Sequence, residues 1–528
     1  MKNDNHKIRC APENTGISLS NPDEVLFGKR AKQRLPVLAI MCSFVSFSIF
    51  APIFVTYTPK HYCKSNSWNT SNGIKVNGNV TKCHRLSWIS NSTEMENITL
   101  YEYESCPGEL VYDRSQGNSM TIEFNLVCDS SWKKPVVASS ILLGYFIGSI
   151  IGSPISDRYG RKTILVASII IYAISSLFCS FSVSFLMVLS SLLFVGISTL
   201  IMYYTAFILA QEMVPVNKKA IAATAMNLGY ISGYLFLTLS FYLIRDWRWL
   251  YRLTSIISAV YFIPFLWFVP ESPKWLLNNK SKQNSTTFKT KKLQDLEDKD
   301  VNTGQLDSRV RRCCRFKLLQ NSILVKRCAL ICLMWIVCNL GFYILNLNTS
   351  NLGGSIFVNS LVVGCVGMAS YLCAMVWLKK VGRRKSFACS LTLSSIFCIC
   401  SPSMKIVHIT AGMVFSMVGI HFMTTSISIA VVWAGELFPT SLRNSYLGLA
   451  SLSSSVFTIA TPFVVYAGEE LSYSIPFYIA GCLGAVTVVL SLLLPETLET
   501  DLPNTTEEAM ALESKRMKIF QQLRFGKA

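Results

Sequence analysis

Charge is what this chain has least of. Asp, Glu, Lys and Arg together make up 15% of its 528 residues, against about 25% in soluble proteins. None of the four occurs from Leu35 to Tyr57, Val136 to Ser156, Thr163 to Gln211, Ala220 to Ile244 or Ser386 to Met404. A helix of a soluble domain needs one apolar face, whereas a helix that is apolar all round for about 20 residues belongs in lipid. The scarcity therefore excludes the two or three soluble domains that the length would allow. Other absences narrow the reading further. No phosphate-binding Gly-Lys-Ser/Thr loop is present, so neither an ATPase domain nor a nucleotide partner is expected. The apolar runs hold no nucleophile–base pair and no metal-ligand cluster, so no enzyme, no cofactor and no metal is expected. The first 34 residues contain no apolar stretch of the kind that ends in cleavage, so the first run is expected to act as an uncleaved signal anchor.

What is present is an all-α pattern of twelve apolar runs, at about 35–57, 136–156, 163–183, 185–209, 220–243, 250–269, 327–347, 356–378, 387–404, 407–433, 445–468 and 474–494. The formal net charge of +19 would suggest nucleic acid on a soluble fold. Here the basic residues sit in short segments between the runs, so no nucleic-acid partner is expected. Arg158, Arg161 and Lys162 follow run 2; Lys218 and Lys219 follow run 4; Lys379, Lys380, Arg383, Arg384 and Lys385 follow run 8. All fall on one side with the N-terminus, which the positive-inside rule makes cytoplasmic for both termini. The opposite side receives the long loop 58–135, with sequons at Asn69, Asn79, Asn91 and Asn97 and the cysteines Cys63, Cys83, Cys106 and Cys128. Clustered sequons beside an even cysteine count indicate a glycosylated, disulfide-stapled ectodomain at the plasma membrane; four cysteines allow three pairings. The other cysteines read as buried thiols, and sequons at Asn284 and Asn504 fall on the wrong side for glycosylation. The resulting plan is a tail 1–34, six spans over 35–269, a linker 270–326, six spans over 327–494 and a tail 495–528.

The two sets of six are related. Asp157-Arg-Tyr-Gly-Arg-Lys after run 2 is echoed by Lys380-Val-Gly-Arg-Arg-Lys after run 8. Glu212-Met-Val-Pro returns as Glu436-Leu-Phe-Pro, and Pro270-Glu-Ser as Pro495-Glu-Thr. Gly160 and Gly382, Glu212 and Glu436, and Pro270 and Pro495 are separated by 222 to 225 residues. Two repeats about an axis along the membrane normal are a carrier architecture, with a site between the halves near the midplane and rocking of one half against the other. The acidic and basic groups at the turns, Asp157, Arg158, Arg161, Glu212, Arg383, Arg384, Glu436 and Arg443, are expected to form a latch. In that reading Arg161 or Arg384 pairs with Glu212 or Glu436 when the cytoplasmic side closes.

These motifs resemble the major facilitator superfamily, and within it the organic cation, organic anion and carnitine transporter family. The residues that carry the resemblance include Asn125-Leu-Val-Cys-Asp129, Asp246-Trp-Arg-Trp249, Pro270-Glu-Ser-Pro-Lys-Trp-Leu276, Glu436-Leu-Phe-Pro-Thr-Ser-Leu-Arg-Asn444 and Leu494-Pro-Glu-Thr497. The segments around Asn351-Leu-Gly-Gly354 and Leu494-Pro-Glu-Thr497 look most like the carnitine branch. The resemblance implies an aromatic substrate cage at Tyr203, Tyr230 and Phe342, with Tyr343 adjacent. Aromatic faces attract a quaternary ammonium, by up to about 2 kcal/mol when desolvated. The charges the family keeps in its cavity are missing: their positions fall on Leu192, Gly367, Ile420 beside His421, and Ser455. Ser428, Ser455, Asn339 and Asn346 are left as polar candidates. The expected function is carriage of small organic ions or zwitterions across the bilayer by alternating access. The alternative is a transport-inactive relative that serves as a glycosylated surface receptor or interaction protein.

The loop assignment is directly testable. N-glycosidase digestion of the expressed protein should lower its apparent mass, and a variant with Asn69, Asn79, Asn91 and Asn97 all changed to Gln should show no such shift. A shift that persists in that variant would place the glycans, and hence the sidedness, elsewhere.

Overall fold

The structure, a computed structural model, describes residues 29–63, 84–89, 100–105, 110–115, 117–214, 219–273, 322–439 and 443–498, with a few isolated positions besides. Twelve helices among them are long and apolar enough to cross a membrane. Spans 1 to 6 are Arg34–Val55, Cys128–Tyr159, Arg161–Ser180, Phe185–Glu212, Ile221–Ile244 and Trp247–Phe268. Spans 7 to 12 are Ser322–Asn351, Ile356–Lys380, Arg383–Val407, Ile409–Leu437, Tyr446–Glu470 and Ser474–Ser491. The apolar runs located all twelve, and the helices extend past several of them because backbone hydrogen bonding continues into the polar boundary layer after hydropathy has fallen. Span 2, for example, includes Lys133 and Lys134.

Packing repeats as the sequence does. Span 2 lies on span 4 and span 8 on span 10; span 3 lies on span 6 and span 9 on span 12; span 1 lies on span 5 and span 7 on span 11. Span 5 meets span 8, and span 11 meets span 2, across the junction between the halves. These two crossings are equivalents under the same repeat. Small residues set the closest approaches. A Cβ on Gly233 of span 5 would stand 2.1 Å from the Ser43 carbonyl oxygen of span 1, and one on Gly196 of span 4 would stand 2.2 Å from the Ile141 carbonyl oxygen of span 2.

Span 11 is broken into helices Arg443–Thr458 and Thr461–Glu470. Pro462 has no N–H to give the carbonyl four residues earlier, so the first helix cannot continue. Within the break, the Ile459 carbonyl accepts from Ser139 Oγ of span 2 at 2.9 Å, a bond between the halves.

The loop between spans 1 and 2 contributes two short antiparallel pairs, His61–Cys63 with Leu110–Tyr112 and His84–Ile89 with Leu100–Ser105. Its last part is pinned to span 6 by the Asp246-Trp-Arg segment. Asp246 caps that helix, accepting from the Arg248 and Trp249 N–H groups at 2.8 and 3.1 Å. Trp247 Nε1 donates to Glu123 at 2.8 Å, and Arg248 pairs with the same carboxylate. Cys128 is disulfide-bonded. The pairing of Cys63, Cys83 and Cys106 and the four sequon asparagines lie outside what the described side chains report. The other eleven described cysteines are free thiols; five of them are buried as expected, while Cys365, Cys389 and Cys482 face outward from the bundle.

Gly233→Ala should destabilise the protein by about 1–3 kcal/mol through overpacking at the span 1–span 5 crossing. Gly448→Ala, where nothing lies within 4 Å of the added carbon, should be neutral or slightly stabilising because alanine favours the helix. Thermal unfolding followed by fluorescence-detected size exclusion would compare them; equal melting temperatures would refute the close-approach account.

Candidate functional site

At the basic-loop end, each half closes around one carboxylate. Gly160, with φ of 102°, turns the chain between spans 2 and 3, and Gly382, with φ of 98°, does so between spans 8 and 9. The left-handed region costs glycine little. Each turn exposes the unsatisfied N–H groups of the following helix, and these point at a glutamate from the end of the same half. Glu271 accepts from the N–H groups of Arg161 at 2.7 Å and Lys162 at 3.1 Å. Glu496 accepts from those of Arg383 at 2.8 Å and Arg384 at 3.1 Å. A carboxylate at a helix N-terminus is favoured by both hydrogen bonding and the helix dipole. Around it, Arg161 bonds Asp157 at 2.5 Å and lies 3.5 Å from Glu212, which accepts from Ser272 Oγ at 2.6 Å. The counterpart has Arg383 on Glu436 at 2.9 Å, with Thr497 Oγ1 donating to Glu436 at 2.5 Å. Trp275 adds a bond from its indole N–H to the Asp157 carbonyl at 3.0 Å.

Of the groups expected to form a latch, the structure brings some together in pairs that differ from the expected set. Arg161 does pair with Glu212, but the equivalent partner of Glu436 is Arg383 rather than Arg384, whose backbone N–H serves Glu496. Helical spacing explains the shift, because only the residue directly after the Gly382 turn is aimed back at span 10. Both pairs also close within a half, not between halves. Asp157 takes Arg161, and the N-terminus of span 3 is filled by Glu271. Arg158 stacks on Tyr159 at 5.3 Å, and the Arg443 side chain lies outside the described residues.

Nearer the middle of the bundle, aromatic rings from both halves meet. Tyr203 contacts Tyr230 with centroids 6.1 Å apart, and Phe342 contacts Tyr343 at 5.3 Å. Phe50 of span 1 joins the two pairs, 6.2 Å from Tyr230, 6.0 Å from Phe342 and 6.5 Å from Tyr343. Sequence reasoning missed Phe50, which carries no motif; its only signal is a place in the most buried span. A small cavity of about 60 Å³ opens beside this cluster, lined by Tyr145, Tyr204, Asn339, Tyr343 and Ser455 among others, with no charged side chain. Tyr204 and Ser451 share a 2.5 Å hydrogen bond across the halves at its wall. Ser455 and Asn339 therefore line this cavity, while Ser428 does not and bonds its own helix at Thr424. Asn346 likewise bonds back to the Phe342 carbonyl. His421 accepts or donates to Ser370 at 2.9 Å, an ordinary helix contact.

A larger cavity of about 1020 Å³ lies between the halves at the long-loop end. It is bridged by Lys134 and Glu469, 2.7 Å apart. At its rim, burial raises the Tyr57 phenol above its ordinary value, and the Asp113 carboxylate raises it further.

With this geometry in place, the model of the family described as sugar (and other) transporter matches residues 38–509. The chain belongs to the sugar (and other) transporter family. Organic cation/carnitine transporter 2 of Mus musculus is 29% identical to this transporter and covers 94% of each chain. Solute carrier family 22 member 16 of Homo sapiens is 27% identical over 91% of each, and the organic cation transporter protein of Drosophila melanogaster is 30% identical over 77% of each. Among solved structures, the inward-open xylose transporter XylE from E. coli superposes with a TM-score of 0.62 at 15% identity, covering 91% of this chain and 99% of that one. The twelve-helix fold, the family resemblance and the reading as a membrane transporter of small organic solutes, not an enzyme, hold. The receptor alternative draws no support from these relatives.

The capping carboxylates of this transporter should be structural. Glu271→Gln should cost about 1–3 kcal/mol through loss of charge-assisted bonds to the span 3 N-terminus, and Glu496→Gln a similar amount in the other half. A melting temperature unchanged in both variants would contradict the assignment.

Proposed function

We propose that the protein carries small organic ammonium or zwitterionic solutes across the plasma membrane by alternating access, with both termini cytoplasmic. The observation that carries this reading is the uncharged aromatic cluster between the halves. Tyr343, Ser455 and Asn339 line the central cavity, and Phe50, Tyr203, Tyr230 and Phe342 pack around Tyr343 as a cluster whose rings can face a cation once the halves part. Such a site holds a cationic group by its ring quadrupoles without fixing a net charge for the solute. The names of the relatives, which speak of organic cations and carnitine, favour the same chemistry.

Alternating access is supported by where the halves touch. The hydrogen bonds, ion pair and ring contacts between described residues of the two halves lie at Tyr204–Ser451 or nearer the long loop. Tyr204 is eight residues from Glu212, about 12 Å along the helix from the basic-loop end. Those contacts fit a carrier closed toward the long loop. The charge clusters around Glu271 and Glu496 then act as rigid braces that let each half move as a unit, with Asp157, Arg158, Arg161, Glu212, Arg383, Arg384, Glu436 and Arg443 framing the cytoplasmic opening.

Cells expressing the protein should accumulate L-carnitine or tetraethylammonium above mock-transfected cells, and an organic anion less. Ser455→Asp should shift selectivity toward tetraethylammonium. Surface-expressed protein that moves none of the three solutes would overturn the proposal, and a Ser455→Asp variant with unaltered uptake would remove Ser455 from the site.

A further inference from the structure

The large cavity at the long-loop end has a charge pattern that the central site lacks. Its charged lining residues are Lys60, Lys134, Glu469 and Glu470, two of each sign, with His61 beside them. One pair among them is special. Lys134 of span 2 and Glu469 of span 11 form, among the described residues, the one ion pair that joins the two halves. Their side chains are 10% and 29% exposed. Each charge has a second, neutral partner in its own half: Lys134 donates to Thr58 Oγ1 at 3.0 Å, and Glu469 accepts from Asn351 Nδ2 at 3.1 Å. Next to the pair, Ser131 and Tyr466 share a 2.8 Å hydrogen bond between the same two spans. The Lys134 ammonium also stands 5.9 Å from the Tyr466 ring.

For the halves to part here, both bonds must break. Breaking a half-buried ion pair is costly when either charge is left without a counter-charge. A simple cation would satisfy Glu469 and abandon Lys134; a simple anion would do the reverse. A zwitterion replaces both partners at once. We infer that this cavity is an outer docking site for a zwitterion, whose ammonium takes Glu469 and whose carboxylate takes Lys134, so that its arrival exchanges the inter-half ion pair for two ligand bonds and frees the outer side to open. Tyr57, Tyr466 and Tyr473 line the same cavity and supply ring faces for alkylated ammonium groups. Balanced lining charge also gives no net field to favour ions of one sign. The inference rests on the carrier reading, since it assigns the cavity to the outer face of a moving pair of halves.

Paired cysteines at Ser131 and Tyr466 test it without requiring flux. In the full-length protein, L-carnitine should slow oxidative cross-linking of Ser131→Cys with Tyr466→Cys by about fivefold or more, the low end of a typical site-to-site coupling. Choline and butyrate, each carrying only one of the charges, should slow it much less. Glu469→Gln should abolish the L-carnitine effect, and the exchanged pair Lys134→Glu with Glu469→Lys should restore it. If the paired variant fails to fold, labelling of Tyr466→Cys alone by a membrane-impermeant thiol reagent replaces it, and L-carnitine should accelerate that labelling. The inference is overturned if L-carnitine has no effect, if choline alone matches it, or if Glu469→Gln keeps the response. L-carnitine uptake without any cross-linking response would sink this inference and spare the carrier reading. A cross-linking response without uptake would do the opposite.

Discussion

Glu271 and Glu496 each lie beneath the first turn of a helix and accept its free N–H groups. In lipid-facing proteins a helix end has no water to satisfy it once it is drawn into the bundle. The carboxylate answers that need, and it brings with it the end of the sixth or twelfth span, from which it comes. The same contact holds the Gly160 or Gly382 turn, orders the arginine that follows, and so places Glu212 or Glu436 of the fourth or tenth span. Spans 2, 3, 4 and 6, and spans 8, 9, 10 and 12, are thereby tied at one end. At their other ends the ties are different: Arg248 of span 6 donates to the Ser180 and Ser182 carbonyls at the end of span 3 and just after it and pairs with Glu123 of the long loop, and Ser401 of span 9 bonds Ser416 of span 10.

That distribution of polar bonds has a mechanical consequence. Within a half, polar networks and close helix crossings such as Gly233 on Ser43 resist deformation. Between halves, the described contacts are rings, a few hydroxyl bonds and one ion pair. The ring and hydroxyl contacts can be exchanged for water or solute at modest cost, whereas the Lys134–Glu469 pair needs a new partner for each charge. In the proposed carrier cycle the two halves move as bodies about this junction, and the solute is taken there.

The cavity at the junction is chemically mild in its centre and charged toward the long loop. Leu192 and Ile420, where the sequence resemblance implies charges, are packed in the core. Gly367 receives Ile231 of span 5 against it. The lost charges are thus replaced by apolar contacts, so no buried charge is left to be paid for there.

Hydropathy located every span, because a bilayer imposes a length and an all-round apolarity that few other environments demand. The repeat of Gly-Arg, Glu-x-x-Pro and Pro-Glu-Ser/Thr disclosed two equivalent halves, and four aromatic positions were legible through resemblance. The sequence could not disclose that Arg383 rather than Arg384 meets Glu436, that Glu271 caps span 3, that Phe50 joins the aromatic cluster, or that Lys134 reaches Glu469. Periodicity tells a helix which face is apolar but not which helix lies against it. Pairings between residues a hundred or more positions apart are decided only when the spans pack, by how closely their small residues let the backbones approach.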